Sequence, residues 1–263
     1  MKENIDLLDL DARHYQKNSQ QQYDRARLLF QSEEFSRNAH VLDVGCGDGK
    51  ITAEIASLLP EGRVLGLDSS PNMIKLAQES IHLPNLEFQC MKGEEVLIAD
   101  SFDNIFCFNC LLWIRKPKEA LDRLSKLLKP GGRLVILTYL KESSYVDFLE
   151  ETLEQFPEYK KISAARTMLN LEEHRSVLES NKLEIEAFEV HDLVSYYSDI
   201  EELKAYLKGW IRSYVSMPDD QQDEFLDQAV HSCFNSLMYK AGSSVRLPYK
   251  TLTIKASRKG IYE

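Results

Sequence analysis

Cysteine is scarce in this chain of 263 residues. Cys46, Cys90, Cys107, Cys110 and Cys233 are too few and too scattered for a disulfide framework, so a reducing compartment is expected. Long apolar runs are also missing. LVILTYL at 134–140 falls far short of the ~20 residues that span a bilayer. The acidic opening, MKENIDLLDLDARHYQ, has no apolar run of signal-peptide length. The expectation is a cytoplasmic protein with no membrane partner. Positive charge is in deficit: 32 Lys and Arg face 42 Asp and Glu, a formal charge of −10. Overall repulsion disfavours a nucleic-acid partner, although the acids are spread and leave room for a local basic groove. No repeat of 20–50 residues is visible and no segment is low in complexity. His14, His40, His82, His174, His191 and His231 show no metal-ligand spacing, so no metal site is expected.

What is present reads as globular. Hydrophobic residues make up 43% and charged ones 28%, which excludes a disordered chain, a collagen-like repeat and a coiled-coil rod. The length is large for one domain, but an α/β sheet with insertions absorbs it. Residues 19–35 read as an N-terminal helix. Strand and helix signals then alternate: strands at 41–44, 64–68, 86–91, 104–109 and 133–140, and helices at 50–59, 71–81 and 117–128. Ser70 is a good N-cap, and Pro71 sits where the first helical turn needs no N–H. Such alternation predicts a mostly parallel sheet with helices on both faces, built from strands buried on both sides. Later segments at 144–156 and 162–180 look helical, and 183–190 reads as a strand. Residues 199–217 put Leu203, Tyr206, Leu207, Trp210, Ile211 and Tyr214 on one helical stripe. Pro218 opens another helix, and 249–257 closes the chain as a strand. One domain over 1–263 is expected: a helical cap at 1–36, a core at 37–140, helices at 141–182 and a helical lid at 199–239. The plainer alternative is that the inserted helices only cover hydrophobic sheet.

The most informative stretch is VLDVGCGDGK at 41–50. A buried strand runs into Gly45-x-Gly47-x-Gly49 and then into a helix. Glycines there permit positive φ and close approach of a ligand to the backbone. The helix start offers free N–H groups. Asp68 ends the next strand, where an acid can accept from ribose hydroxyls. The dinucleotide fingerprint wants Gly or Ala where Lys50 stands, so a nicotinamide dinucleotide is disfavoured.

GCGDG after LDV, LDSSPNMI at 67–74, SFDNIFCFNCLLWI at 101–114 and LLKPGGRLVILTY at 127–139 resemble, in order, the motifs of class I S-adenosylmethionine-dependent methyltransferases. That resemblance implies a Rossmann-like, seven-stranded, mostly parallel sheet with a reversed last strand, to which the residues add the N-terminal helix and the helical lid insertion. Tyr15, Gln22 and Ala26, the tryptophan of FDNIFCFNCLLWI, and the tail LPYKTLTIKASRK resemble a narrower group. It contains juvenile hormone acid methyltransferases, malonyl-carrier O-methyltransferases and, more distantly, trans-aconitate methyltransferase, all of which methylate carboxylic acids.

The resemblance implies S-adenosylmethionine as donor and S-adenosylhomocysteine as product. It places Tyr15, Asp43, Gly45, Cys46 and Gly47 at the cofactor, with Asp43, Gly45 and Gly47 around its methionine part, and Asp68 on the ribose. Ser69 and Met73 go beside the adenosine, and the backbone of Phe108 and Asn109 goes under the sulfonium. Lys92 stands where the family usually has an acid, and lysine cannot accept a hydrogen bond. Adenine recognition then passes to the backbone near Gly93 or to Glu94. Gln22 and Trp113 become the substrate-positioning pair, each able to donate to a carboxylate. Leu112 stands where the family often has histidine. From the residues alone, Asp43 also fits a brace for the turn, Met73 fits helix core, Gln22 an exposed helical position and Trp113 core packing. Cys107-x-x-Cys110 is read as strand-end residues, not a redox pair or zinc site. Arg123, Lys126 and Lys129 are read as a solvated face.

The implied reaction is in-line methyl transfer to an apolar small-molecule carboxylate. Such an acceptor is already ionised, with a pKa of about 4, and needs no general base. Two alternatives stand beside it: methyl transfer to a hydroxyl or amine, which calls for a base, and a catalytically silent cofactor-binding module working through a protein partner. A monomer or weak homodimer is expected.

Overall fold

The computed structural model describes residues 20–160, 167–236, 240–242 and 244–260. Helix α1 (Gln20–Gln31) is followed by β1 (His40–Val44), α2 (Lys50–Leu58), β2 (Arg63–Asp68), α3 (Pro71–Ser80), β3 (Leu86–Cys90) and β4 (Phe102–Phe108). Then come α4 (Pro117–Lys126), β5 (Leu128–Tyr139), α5 (Ser144–Thr152), α6 (Leu171–Ser180) and β6 (Leu183–Tyr197). Helices α7 (Ile200–Lys208), α8 (Ile211–Tyr214) and α9 (Asp219–Asn235) precede the short β7 (Lys240–Ala241) and β8 (Ser244–Arg258).

One sheet has the strand order β3-β2-β1-β4-β5-β8-β6, and β7 pairs with β8. Strands β1 to β5 are mutually parallel. Strand β8 is antiparallel to both β5 and β6, which makes it the reversed last strand. The methyltransferase-like topology is therefore present, with the two-residue β7 as an addition to the seven strands expected.

Period-two alternation divides the strand residues between two faces. Val41, Phe106, Phe108, Val135 and Leu137 pack with Ala26 and Phe30 of α1 and with Ile55, Ala56 and Leu59 around α2. Leu42, Val44, Ile105, Cys107, Leu134 and Ile136 face the other way, against Leu121 and Leu124 of α4 and Leu178 of α6. A third core joins α5 to the inserted helices through Phe148, Leu149, Leu203, Leu207, Phe225 and Leu226. The buried Glu33 carboxylate, just past α1, meets Arg133 at 2.9 Å and Lys255 at 2.7 Å and so fastens this segment to β5 and β8.

Several boundaries differ from the sequence expectation. Ser70 does cap α3, its Oγ accepting from Met73 N at 3.3 Å. The helix expected over 162–180 begins at Leu171, because Asn170 and Glu173 form a reciprocal capping box; residues 161–166 lie outside the described residues. Strand β6 runs on to Tyr197 because it keeps pairing with β8 over its whole length. The single helix expected over 199–217 breaks at Gly209-Trp210. Its apolar stripe nevertheless stays in one cluster.

Candidate active site

Strands β1 and β4 are neighbours, yet the chain builds outward from them in opposite directions. This switch opens a crevice beyond their carboxyl ends. The turn after β1 hangs from β2 by two bonds: Gly45 N and Cys46 N both donate to Leu67 O, at 2.7 and 2.9 Å. Gly45 has φ +78°, and a Cβ there would lie 2.3 Å from the Cys110 Cβ, so no other residue fits. Gly47 also has positive φ, but its missing Cβ would meet no atom within 4 Å. The turn thus has one face pressed on the protein and one face open.

Two carboxylates flank that open face. Asp68 Oδ2 accepts from Gly47 N at 3.0 Å and its Oδ1 accepts from Ser70 N at 2.8 Å. Burial raises the Asp68 pKa against the lowering effect of these bonds. Asp43 accepts from Thr52 Oγ1 at 2.7 Å. Its pKa is pushed up to about 6 by burial, with Asp68 adding to the rise and Thr52 opposing it. Across the crevice the chain leaves β4 through Asn109, a non-glycine residue at φ +54°, whose N–H donates to Leu137 O at 2.7 Å.

Two cavities meet here. The first is walled by Asp43, Gly45, Cys46, Gly47, Asp48, Lys50, Phe108 and Asn109 from the strand ends and by Gln22 from α1. The second lies under the inserted helices and is walled by Trp113, Tyr139, Tyr145, Met168, Tyr206, Trp210 and Tyr214, among others. Gln22 and Asn109 belong to both walls. In the second cavity Gln22 Nε2 donates to Tyr206 Oη at 3.2 Å. Two residues of its wall each carry a buried polar atom with no hydrogen-bond partner among the described residues, Gln22 Oε1 and Trp210 Nε1. A hydroxyl pair, Tyr145 and Tyr197 at 2.7 Å, lies beside it, and burial raises both phenol pKa values well above the ordinary range.

Residues 35–214 match the family described as Methyltransferase domain. The chain belongs to that family. This methyltransferase is 26% identical over 227 residues to methyltransferase 235L of Invertebrate iridescent virus 6, covering 84% of each chain. It is 40% identical over 98 residues to the trans-aconitate 2-methyltransferase of Deinococcus radiodurans, 37% of each chain. It is 28% identical over 171 residues to malonyl-[acyl-carrier protein] O-methyltransferase 2 of Ilyobacter polytropus, 65% of this chain and 64% of that one. Among solved structures, the YcgJ protein of Bacillus subtilis superposes with a TM-score of 0.64 at 17% identity, covering 90% of this chain and 99% of that one. Phosphoethanolamine N-methyltransferase 2 of Haemonchus contortus, solved with S-adenosyl-L-methionine, gives a TM-score of 0.60 at 18% identity, covering 94% and 56%. These structures share the methyltransferase's fold.

The first cavity brings together Gln22, Asp43, Gly45, Cys46, Gly47, Phe108 and Asn109 of the residues expected from sequence. Asp68 joins them through its bond to Gly47. Trp113 faces the second cavity from a short turn, while Leu111 of the same turn enters the core. Ser69, Gly93 and Glu94 line neither cavity. Met73 is 1% exposed and lines neither cavity. Tyr15 lies outside the described residues. Cys107 is buried in β4 and Cys110 packs under Gly45, and both are free thiols. Among the described residues no group of three or more His, Cys, Asp or Glu is placed to hold a metal, and no helix is long and apolar enough to cross a membrane.

Sequence reasoning missed Ser143, Tyr145 and Val146 in the second wall. Their signal was positional: they follow β5, whose carboxyl end faces the crevice. It also missed Asp48 and Lys50, which pair at 3.5 Å beside the first cavity. The unpaired nitrogen of Trp210 had no sequence signal.

Proposed function

We propose that this methyltransferase uses S-adenosylmethionine to esterify an apolar monocarboxylic acid, the acid occupying the second cavity. One observation carries the acceptor class: the described wall of that cavity holds no Asp, Glu, His, Lys or Arg. A hydroxyl or amine acceptor needs a base to take its proton, and the buried Tyr145 phenol stays protonated at neutral pH. A carboxylate arrives ionised and loses no proton. A second carboxylate on the acceptor would need a cation that this wall does not offer, since an unpaired buried charge is costly. Relatives named for trans-aconitate and malonyl-carrier methylation support an acidic acceptor. The aromatic and aliphatic wall supports an apolar one.

The residues present fit the donor. The open face at Gly47 leaves room at the backbone, and the acids Asp43 and Asp68 suit a ligand that carries a sulfonium, an ammonium and two ribose hydroxyls. Asp43, Gly45 and Gly47 would hold its methionine part, Asp68 its ribose and Asn109 the methyl end. Bound there, S-adenosylmethionine would supply an electrophilic methyl group on sulfur, which a carboxylate oxygen can accept without a proton transfer. The protein's part is alignment. Gln22 and Asn109 stand where the two cavities join and set the acid against the donor, an effect that can supply on the order of 7–11 kcal/mol. The described part of the expected lid, residues 199–236, carries aromatic rings that exclude water from the union of anion and sulfonium.

Titration calorimetry with S-adenosylmethionine, followed by turnover assays over acids, alcohols and amines, tests this reading. Donor binding with turnover of monocarboxylic acids is expected, with a rate that stays flat from pH 7 to 9. Turnover of alcohols or amines only would replace the acceptor class. Donor binding without turnover of any compound would favour a catalytically silent module.

A further inference from the structure

Trp210 stands at the break between α7 and α8. Its indole is set by rings on several sides: Tyr145, Tyr206 and Tyr214 meet it edge-on, with centroids 6.4, 6.0 and 6.1 Å away, and Trp113 lies tilted at 5.7 Å. Packing thus fixes the plane of the indole and the direction of its one donor. That donor, Nε1–H, is withdrawn from water and has no partner among the described residues. Burying an N–H unpaired is unfavourable, and an occupant that accepts from it removes the penalty.

A second residue of the same wall, Gln22, has a buried Oε1 with no partner among the described residues, while its Nε2 donates to Tyr206 Oη at 3.2 Å. A half-turn of the amide exchanges its ends. Oε1 then accepts from the Tyr206 hydroxyl, and an amide N–H takes the place that Oε1 now holds. In that state α1 contributes the Gln22 amide N–H and the inserted helices contribute the Trp210 N–H, both neutral donors, and the described wall holds no Asp, Glu, His, Lys or Arg.

We propose that the Trp210 indole N–H and the Gln22 amide N–H form a two-point clamp on the acceptor's carboxylate, and that Trp210 is therefore a specificity residue carried by the inserted helices. The clamp rests on the carboxylate reading above. It adds that recognition of the acid requires the helix carrying Gln22 and the helices carrying Trp210 to be in place together. Because both donors are neutral, the acceptor's charge is left for the donor sulfonium to balance. The clamp therefore favours an acid over its amide or ester, which present fewer acceptor lone pairs to two donors.

Trp210→Phe keeps a ring in the cage and deletes the N–H. With octanoate, dodecanoate and 3-phenylpropanoate as acceptors, the variant should raise KM by about tenfold to a hundredfold, the loss expected for a hydrogen bond to a charged group. Its dissociation constant for S-adenosylmethionine should stay within about twofold, and the melting temperature of the ligand-free protein should not fall. A lowered melting temperature with unchanged KM would make Trp210 a packing residue and overturn the clamp. Wild type that esterifies none of the acids would overturn the carboxylate reading and the clamp with it. Wild type that esterifies them as well as the variant does would overturn the clamp alone. A second measurement needs no substitution at this site. The chain has two tryptophans, so the indole N–H region of a nitrogen-15 spectrum holds two signals, separable with Trp113→Phe. Dodecanoate added with S-adenosylhomocysteine should move the Trp210 signal downfield. A stationary Trp210 signal while the acid binds would contradict the proposal.

Discussion

Asp43 and Asp68 share the glycine turn but are held differently, and the difference can be tested. Asp68 is tied to two backbone N–H groups, Gly47 and Ser70. Asp68→Ala should weaken S-adenosylmethionine binding by roughly 1–3 kcal/mol in calorimetry, the loss expected for hydrogen bonds to a charged acceptor. An unchanged dissociation constant would reject its ribose role. Asp43 titrates at about 6 in the folded protein, above the ordinary 3.8. A raised folded pKa means that the neutral form is favoured on folding. Its contribution to stability is therefore full below about pH 4 and is lost as pH rises through 6. A cationic ligand reverses the preference, so donor affinity should fall as pH drops below 6, and binding near pH 6 should release a proton. Calorimetry in two buffers of different ionisation enthalpy measures this. Equal heats would show that Asp43 does not face the ligand, and Asp43→Asn should remove the effect. These two acids and their glycines were legible in the sequence because they form one local pattern of strand, turn, helix and strand. Met73 belongs to the same pattern but its side chain turns inward, and a helical position does not reveal that. The unpaired state of Trp210 Nε1 depends on neighbours from four separate segments, and no local pattern encodes it.

At the scale of elements, α1 both fastens and furnishes the site. Gln22 projects from it to both cavities, and Tyr23 and Arg27 bond Glu54 of α2. Gln22→Ala should lower methyl transfer while leaving donor affinity nearly intact; equal loss of both would assign Gln22 a structural role. The fastening is heavier just beyond the helix, where Glu33 sits between Arg133 and Lys255. Removing one member of a fully buried charge cluster costs about 3–5 kcal/mol, and partial exposure of the two cations here reduces that to ~1–3 kcal/mol for Glu33→Ala. Urea unfolding at pH 7 checks it, and an unchanged midpoint would mean that the cluster contributes nothing net. Elements with strong local signals, such as the proline-started α3 and α4, fall where the sequence puts them. Those set by partners do not. The far half of β6 is a strand because β8 lies beside it, and α7 stops at Gly209 although its apolar stripe continues.

For the whole molecule, the decisive features are the reversal of strand order at β1 and β4 and the insertion of α7 to α9 between β6 and β8. The first opens the cavity beside the glycine turn, and the second roofs the other cavity with rings and, among its described residues, no Asp, Glu, His, Lys or Arg. Donor present at a hundred times its dissociation constant should stabilise the fold by about 2.7 kcal/mol, a shift visible in thermal melts. The account's central claim is methyl transfer to a carboxylate oxygen without a base. Its most direct measurement is mass spectrometry of a reaction at pH 7.5 containing S-adenosylmethionine with a deuterated methyl group and dodecanoate. A trideuteromethyl ester, cleaved by mild alkali and formed one-for-one with S-adenosylhomocysteine, is the predicted product. Label found only on a hydroxyl or an amine of other acceptors, with the acids untouched, would contradict it.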